Sequence, residues 1–336
     1  MPAYQPHHVL VTGGAGFIGA NFIRHLLENE PTVQIINLDK LTYAGSLDNL
    51  HNLPDAKRCH FVQGDITDAA LVRHLLQHHN IDTIVHFAAE SHVDRSIAAP
   101  AAFITTNVLG TFTLLEAARH HWLEIEKRDA AHCRFHHIST DEVYGSLTST
   151  DPLFTEKTAY QPRSPYSASK AGSDHLVHAY YHTYGLPITL SNCSNNYGPY
   201  QHAEKFIPTI LRSCIEHKPI PIYGNGKNVR DWLYVDDHCR GILAILKNGS
   251  IGEQYNLGGN NEWENIALAT YICELMDKQK PHTSSYKNLL QFVTDRPGHD
   301  FRYAIDFSKA KKELHWQPQE TLESGLKKTI QFYLSR

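Results

Sequence analysis

The sequence predicts an α/β fold, a doubly wound parallel sheet followed by a smaller, irregular C-terminal lobe. Three observations carry that prediction. Short β-rich runs alternate regularly with helical patterns through the first half of the chain. A glycine-rich turn joins the first run to the first helical pattern, and beyond about residue 192 the alternation loosens into loops rich in Asn, Tyr, Gly and Pro. Regular β-α alternation places parallel strands in one layer with helices on both faces.

The runs at 8–12, 33–38, 58–62, 83–87 and 133–139 read as strands, with helices between them at about 19–29, 67–79 and 100–121. A further helix follows Pro165, and 187–191 reads as another strand. Loops at 192–200, 223–228 and 295–300 then interrupt short elements. The expected division is residues 1–190 as a dinucleotide-binding unit and 191–336 as a substrate-binding lobe, with some segments crossing back. No internal repeat or low-complexity linker appears.

Composition narrows the classes. The 336 residues are 41% hydrophobic and 20% charged, the balance of an ordinary globular protein with ample core. Net charge is −4 with no Lys/Arg block, which gives no support to a nucleic-acid surface. No uninterrupted apolar run reaches the ~20 residues that span a bilayer, and the first eight residues lack the pattern of a signal peptide, so the cytoplasm is the default expectation. The six cysteines are scattered without a C-x-x-C pair and read as reduced, packed residues. Among the 24 histidines, doublets such as His78–His79 and His120–His121 fall near helix ends, without metal spacing, so no metal site is expected.

The first strand runs directly into Gly13-Gly14-Ala15-Gly16-Phe17-Ile18-Gly19 and then into a helix. This strand–glycine turn–helix arrangement is the Rossmann-type dinucleotide fingerprint. The glycines permit a tight turn, close approach of backbone to a pyrophosphate, and helix-on-strand packing, while the helix N-terminus offers unpaired N–H groups. Asp39 ends the next strand about 20 residues after Gly19, where a carboxylate accepts hydrogen bonds from a ribose diol and repels a 2′-phosphate. NAD is therefore expected over NADP. Around it the sequence places Gly13, Gly16, Phe17, Ile18, Gly19, Asp39, Lys40, Leu41 and Thr42, then Asp65 and Ile66 after the third strand. Phe87, Ala88 and Ala89 end the fourth strand with small residues suited to backbone lying against a cofactor.

Tyr166-Ser167-Ala168-Ser169-Lys170 opens the helix after Pro165, and the i,i+4 spacing puts Tyr166 and Lys170 on one face. A nearby ammonium stabilises a phenolate and lowers the tyrosine pKa, so Tyr166 is expected to take a proton from a sugar hydroxyl.

Together, the glycine turn, Asp39, the 87–94 segment, Tyr166-x-x-x-Lys170 and the loop Asn195-Asn196-Tyr197-Gly198-Pro199 resemble the extended, sugar-nucleotide-modifying branch of the short-chain dehydrogenase/reductase superfamily. The resemblance covers nearly the whole chain and brings Thr106 and Asn196 into the cofactor set. It makes Thr140, at the end of the fifth strand, a hydrogen-bond partner of the hexose O4. The stretch Thr140-Asp141-Glu142 further resembles the Thr-Asp-Glu signature of dTDP-glucose 4,6-dehydratases. Simple 4-epimerases usually lack both acids. The implied reaction oxidises a hexose at C4, removes water across C5 and C6, and returns the hydride to C6. Tyr166 takes the O4 proton, Glu142 removes the proton acidified at C5, and Asp141 protonates the departing C6 hydroxyl. The resemblance alone assigns which acid does which. Adjacent carboxyls in a partly dry pocket should have their pKa values pushed apart.

The same resemblance places Ser91, Thr140 and Asn195 at the hexose. It assigns Lys205, Phe206, Pro221, Ile222, Tyr223, Arg230, Asn265, Arg296 and His299 to the nucleoside diphosphate, with Arg230 and Arg296 as pyrophosphate clamps. It implies a homodimer through the helices at about 100–121 and 166–184. The leading expectation is an NAD-dependent lyase making a 4-keto-6-deoxy sugar for rhamnose and related deoxyhexoses. UDP-glucose remains an alternative substrate, since thymine and uracil differ by one methyl worth ~1–3 kcal/mol. A 4-epimerase or decarboxylase is disfavoured by the acid pair. A silent NAD-binding scaffold is disfavoured because Thr140, Asp141, Glu142, Tyr166 and Lys170 are all present.

Overall fold

The structure, a computed structural model, describes residues 3–295 and 297–335. Its centre is a seven-stranded sheet formed by β1 (His8–Thr12), β2 (Gln34–Asp39), β3 (Cys59–Gln63), β4 (Thr83–His86), β5 (Arg134–Thr140), β6 (Ile188–Cys193) and β10 (Gln254–Leu257). Every pairing is parallel, in the order β10-β6-β5-β4-β1-β2-β3. The six expected strands fall within two residues of their expected bounds. β10 was not anticipated, because a strand inserted from the second half has no βα rhythm around it. It pairs with β6 in register from Gln254↔Leu190 to Leu257↔Cys193.

The chain winds one way through β1, β2 and β3, then reverses to β4 on the other side of β1. A crevice therefore opens beyond the carboxyl ends of β1 and β4, where open α/β sheets bind ligands. Each face of the sheet carries its own core. On one face α1 (Phe17–Asn29) and α8 (Val235–Asn248) pack together, burying Phe22, Ile23, Leu26, Ile242 and Ile245. On the other lie α2 (Ala69–His78), a long rod and α6 (Pro165–Tyr184), burying Leu75, Leu114, Trp122 and Val177.

The rod, Pro100–Ile125, contains α4 (Pro100–Phe103) and α5 (Thr111–Ala118), with π-helical stretches at 104–110 and 119–125. By length and composition this helix is apolar enough to cross a membrane, contrary to the expectation that no apolar run is long enough, because polar residues interrupt its apolar stretches. Half of its most apolar window is buried inside the fold, against α2 and α6.

The C-terminal lobe has a third core. There α7 (Phe206–Glu216), α9 (Asn265–Gln279) and α11 (Leu322–Leu334) enclose Ile207, Leu211, Ile222, Leu268, Met276 and Leu326. Its central strand β9 (Val229–Tyr234) takes β11 (Glu262–Glu264), β13 (Arg302–Tyr303) and β7 (Asn195–Tyr197) as neighbours. Separately, β8 (Ile220–Tyr223) pairs with β12 (Leu290–Val293).

Candidate active site

A cavity of about 300 Å³ lies over the β1/β4 crevice and continues past the ends of β5 and β6. One end is the glycine turn. Gly13 has φ +73, a left-handed conformation, and a Cβ there would meet Ala88 N at 2.6 Å. A Cβ on Gly19 would meet Gly13 O at 2.4 Å, so the turn closes only around hydrogen. The helix α1 starts at Gly16 with no side-chain cap, and its first-turn residues Phe17, Ile18 and Gly19 line the cavity. Uncapped first-turn N–H groups beside an open space suit a pyrophosphate. Asp39 also lines the cavity, with Oδ2 accepting from Ala15 N at 2.9 Å and Oδ1 from Leu41 N at 2.8 Å. Each oxygen keeps a further lone pair for a ribose hydroxyl. The donor set fits a dinucleotide. Asp65 instead forms an ion pair with Lys40 at 2.6 Å.

The other end is built where β5 stops and α6 starts. After Thr140 the chain makes one 3₁₀ turn, Asp141–Tyr144, capped by the Thr140 hydroxyl, which accepts from Glu142 N at 3.3 Å. Gly145, at φ +99, ends it, and a Cβ there would lie 2.7 Å from Gln161 O. This turn sets both acids beside Thr140, whose Oγ1 lies 3.3 Å from Asp141 Oδ1. Helix α6 is fixed at its start by a capping box between Ser164 and Ser167 with Pro165 in the first turn, and it ends at Gly185 in a left-handed conformation. Tyr166 and Lys170 thus fall one turn apart, both buried against the ends of β5 and β6. The Thr140 side chain lies close enough to Tyr166 to favour its phenolate. Lys170 Nζ donates to Ile138 O at 2.8 Å.

Burial dominates the electrostatics. It pushes the Asp141 carboxyl well above the usual carboxylate range, and the neighbouring Glu142 and Asp231 push the same way. Asp141 Oδ2 is buried without a hydrogen-bond partner among the described residues. A neutral acid with one uncommitted oxygen is equipped to hand a proton to a ligand. Burial also draws Lys170 down to about 8, partly offset by Asp174. Tyr166 departs from expectation. Its hydroxyl is pushed well above its ordinary value by burial and by Glu142 and Cys193, while Thr140 pulls it down. The Lys170 ammonium is committed to Ile138 O, so the desolvation of the phenol outweighs the expected depression.

This chain matches the family model described as GDP-mannose 4,6 dehydratase over residues 10–329. It is 52% identical over 335 residues to dTDP-glucose 4,6-dehydratase 1 of Escherichia coli K12, an alignment covering 97% of this chain and 92% of that one. The chain belongs to the dTDP-glucose 4,6-dehydratase family. Among solved structures, the dTDP-glucose 4,6-dehydratase of Bacillus anthracis in complex with NAD superposes with a TM-score of 0.86 at 44% identity, covering 98% and 97% of the two chains. DesIV, the dTDP-glucose 4,6-dehydratase of Streptomyces venezuelae, crystallised with NAD bound, gives 0.89 at 44% identity with the same coverage. These likenesses bear out the doubly wound, Rossmann-type architecture.

The family signature Thr140-Asp141-Glu142 and the Tyr166/Lys170 pair all line the one cavity. So do Gly13, Gly16, Phe17, Ile18, Gly19, Asp39, Lys40, Thr42, Asp65, Ile66, Phe87, Ala88, Ala89, Thr106 and Asn196. Leu41 is outside the lining and meets it only through its N–H bond to Asp39. Of the residues expected at the substrate, Ser91, Thr140, Asn195 and Lys205 line the cavity, with Lys205 Nζ donating to Ser91 O at 3.0 Å. The remainder sit beyond it. Phe206 stacks on Trp232, Pro221, Ile222 and Tyr223 form β8, and Asn265 begins α9. The Ile222 side chain is wholly enclosed in the third core and presents no surface to a ligand. Arg230 donates to the carbonyls of Val229, Asp300 and Phe301, over the Tyr303 ring. His299 pairs with Asp295 at 2.7 Å. Arg296 lies outside the described residues.

Sequence reasoning missed several lining residues, among them Gly64, Glu90, Cys193, Gln201 and His202. Their signal was position alone: Gly64 and Glu90 follow the ends of β3 and β4 at the same carboxyl edge. It also missed Asp174 and His137, buried next to Lys170, because a polar residue in a helix or strand pattern carries no mark of its partner.

Proposed function

We propose that this chain is an NAD-dependent lyase that converts dTDP-glucose to dTDP-4-keto-6-deoxyglucose, the precursor of rhamnose and related deoxyhexoses. The observation that carries the reading is the meeting of Thr140, Asp141, Glu142, Tyr166 and Lys170 on the same cavity as the glycine turn. NAD would be held by the first turn of α1, by Asp39 and by the 87–89 segment. When bound, it supplies the hydride acceptor for C4 and the hydride donor for C6.

The chain's own groups handle the protons. Thr140 and Tyr166, both lining the cavity, hold the hexose O4 between them, and Tyr166 takes its proton. Lys170 places positive charge near the phenolate that accepts this proton. The C4 ketone acidifies C5, and Glu142 removes that proton and gives it back to C5 once C6 has been reduced. Asp141, kept neutral by burial, protonates the C6 hydroxyl so that it leaves as water. Ser91, Asn195 and Lys205 orient the sugar. Residues beyond the cavity, including Tyr223, Arg230, Asn265 and His299, form the outer cradle for the nucleoside diphosphate.

In this reading residues 1–190 bind NAD and 191–336 bind the sugar nucleotide, with α8 and β10 returning to the central sheet. The protein works in the cytoplasm as a homodimer. Exposed Ile97, Ile104, Leu109, Phe112, Ile125 and Tyr184, on α3 (Val93–Ala98), the rod and the end of α6, supply the apolar face. Incubation with dTDP-glucose, UDP-glucose and GDP-mannose tests the reading. Loss of one water from dTDP-glucose alone, with no net NADH, is the expected result. An epimerised product without water loss would overturn it.

A further inference from the structure

We infer that Asp174 and His137 are a positioning pair that keeps Lys170 a charged ammonium at the end of β5. The inference deepens the dehydratase reading and rests on it for the role of Lys170.

Asp174 follows Lys170 by four residues on α6, so the two share a face of the helix. Both side chains are buried, Asp174 completely. Burial raises the Asp174 carboxyl above its ordinary value, and Lys170, Ser139 and Tyr160 pull it back toward the anion. Its Oδ2 accepts from Ser139 Oγ at 2.7 Å and from Tyr160 OH at 2.9 Å, and two O–H donors on one oxygen favour the anion. Its Oδ1 lies 3.2 Å from His137 Nε2, which in turn lies 3.4 Å from Lys170 Nζ. A proton on Nε2 points the imidazole at the carboxylate, and an unprotonated Nε2 accepts from the ammonium. Either state ties His137 to one of the two charges.

The surroundings leave Asp174 as the counter-charge on this side. From β5 come His137 and the neutral Ile138 carbonyl, which accepts from Nζ at 2.8 Å. From β4 comes His86, with its ring 5.2 Å from that of His137, and burial holds both imidazoles well below their ordinary pKa and so neutral. From β6 comes Cys193, whose thiol burial pushes up. The rod offers uncharged Asn107, bonded to Ser169 Oγ and, through its carbonyl, to Ser173 Oγ. From α6 itself come Tyr166 and, beyond Asp174, His178. Asp141 and Glu142 belong to the cavity end. A dry ammonium whose direct partner is a carbonyl sheds its proton unless a negative charge stands near, and Asp174 raises Lys170 against its burial.

The test follows Lys170 directly. Protein labelled with ¹⁵N-lysine reports the Nζ protonation of Lys170 by NMR across pH, independent of turnover. In Asp174→Asn the Lys170 titration should move down by about one pH unit. With dTDP-glucose, kcat at pH 8 should fall ~5-fold while KM and bound NAD stay unchanged, and most of the loss should return at pH 6.5. A residue that merely supports the fold would lower the melting temperature and leave the Lys170 titration in place. His137→Gln, which keeps a polar atom at the gap, should retain more kcat than His137→Leu. If Asp174→Asn does not fold, Tyr160→Phe removes one donor from Oδ2 and must shift Lys170 the same way by less. An unmoved Lys170 titration in the folded variant overturns the inference. Absence of product from the wild type would sink the dehydratase reading instead, and the NMR titration would still judge Asp174.

Discussion

Asp39 Oδ2 accepts the backbone N–H of Ala15 at 2.9 Å, tying the end of β2 to the middle of the glycine turn. The same carboxylate accepts from Leu41 N, and these two N–H groups pull its pKa down against the burial that raises it. Asp39 therefore shapes the turn as well as lining the cavity. Asp39→Ala should strip a buried N–H of its partner, costing ~1–3 kcal/mol of stability, and weaken NAD binding at least ~10-fold. Thermal melts and NAD titration of the variant check both. The wild type should be purified with NAD, and NADP in the pocket would contradict the role given to Asp39.

Gly19 gives a second test of the turn, free of charge effects. A Cβ at this position would sit 2.4 Å from Gly13 O and 2.8 Å from Gly14 Cα, both backbone atoms that cannot rotate away. Gly19→Ala should push α1 off β1, lower stability by ~1–3 kcal/mol and abolish NAD retention. Gly185→Ala is the control. A Cβ there meets nothing within 4 Å, so its cost is limited to the left-handed backbone at φ +71, and NAD binding should persist.

Most of the central sheet was legible because parallel strands buried on both faces announce themselves as apolar runs between helices. The cofactor edge followed, since Gly13 to Gly19 and Asp39 are contiguous signals tied to strand ends. What escaped depends on distant pairing. β10 joins β6 from 64 residues away in the sequence, from Leu190 to Gln254, and nothing local to Gln254–Leu257 says so. Asp174 looked like any helix aspartate until folding brought Ser139 and Tyr160 to it. The elevated Tyr166 pKa was also beyond reach, because burial is a property of packing and not of the Tyr-x-x-x-Lys spacing.

The oxidation step should depend on Tyr166 and Lys170 unequally from the sugar's binding. Tyr166→Phe removes the O4 base and should lower turnover at least ~10²-fold, with sugar-nucleotide binding largely kept. Phe103 packs edge-on to the Tyr166 ring at 6.3 Å, so the phenyl group of the variant stays seated and the loss is chemical. Lys170→Ala should fall by a similar factor. Steady-state kinetics and calorimetric binding separate the two effects, and near-normal turnover of Tyr166→Phe would remove it from its role.

Asp141 couples activity to stability. Burial and Glu142 raise its folded pKa above the unfolded value, so folding favours the protonated form. Its contribution is fully present below the unfolded pKa and is lost as pH rises through the folded one. Asp141→Asn cannot ionise. Relative to wild type its melting temperature should therefore climb as pH rises from 4 to 8, even as turnover collapses. A constant difference across that range would mean Asp141 is not held protonated by the fold.

The last test divides the labour between Asp141 and Glu142, which share one 3₁₀ turn after Thr140. If Glu142 removes the C5 proton, Glu142→Gln should still permit oxidation at C4 but block exchange of the C5 proton with solvent. If Asp141 protonates the C6 hydroxyl, Asp141→Asn should let that exchange continue while water loss slows, because an amide cannot deliver the proton. Asp141 Oδ2, buried and without a hydrogen-bond partner among the described residues, is the oxygen from which that proton would come. Both variants should accumulate enzyme-bound NADH with a 4-keto hexose, and only the aspartate variant should wash deuterium into C5. Reactions in D₂O, with NADH absorbance followed beside the mass of the recovered sugar, separate the cases. Deuterium at C5 in Glu142→Gln and none in Asp141→Asn would reverse the two roles. Full activity in both would reduce the pair to an acidic turn at the end of a strand, and the dehydration mechanism would lose its acid and its base together.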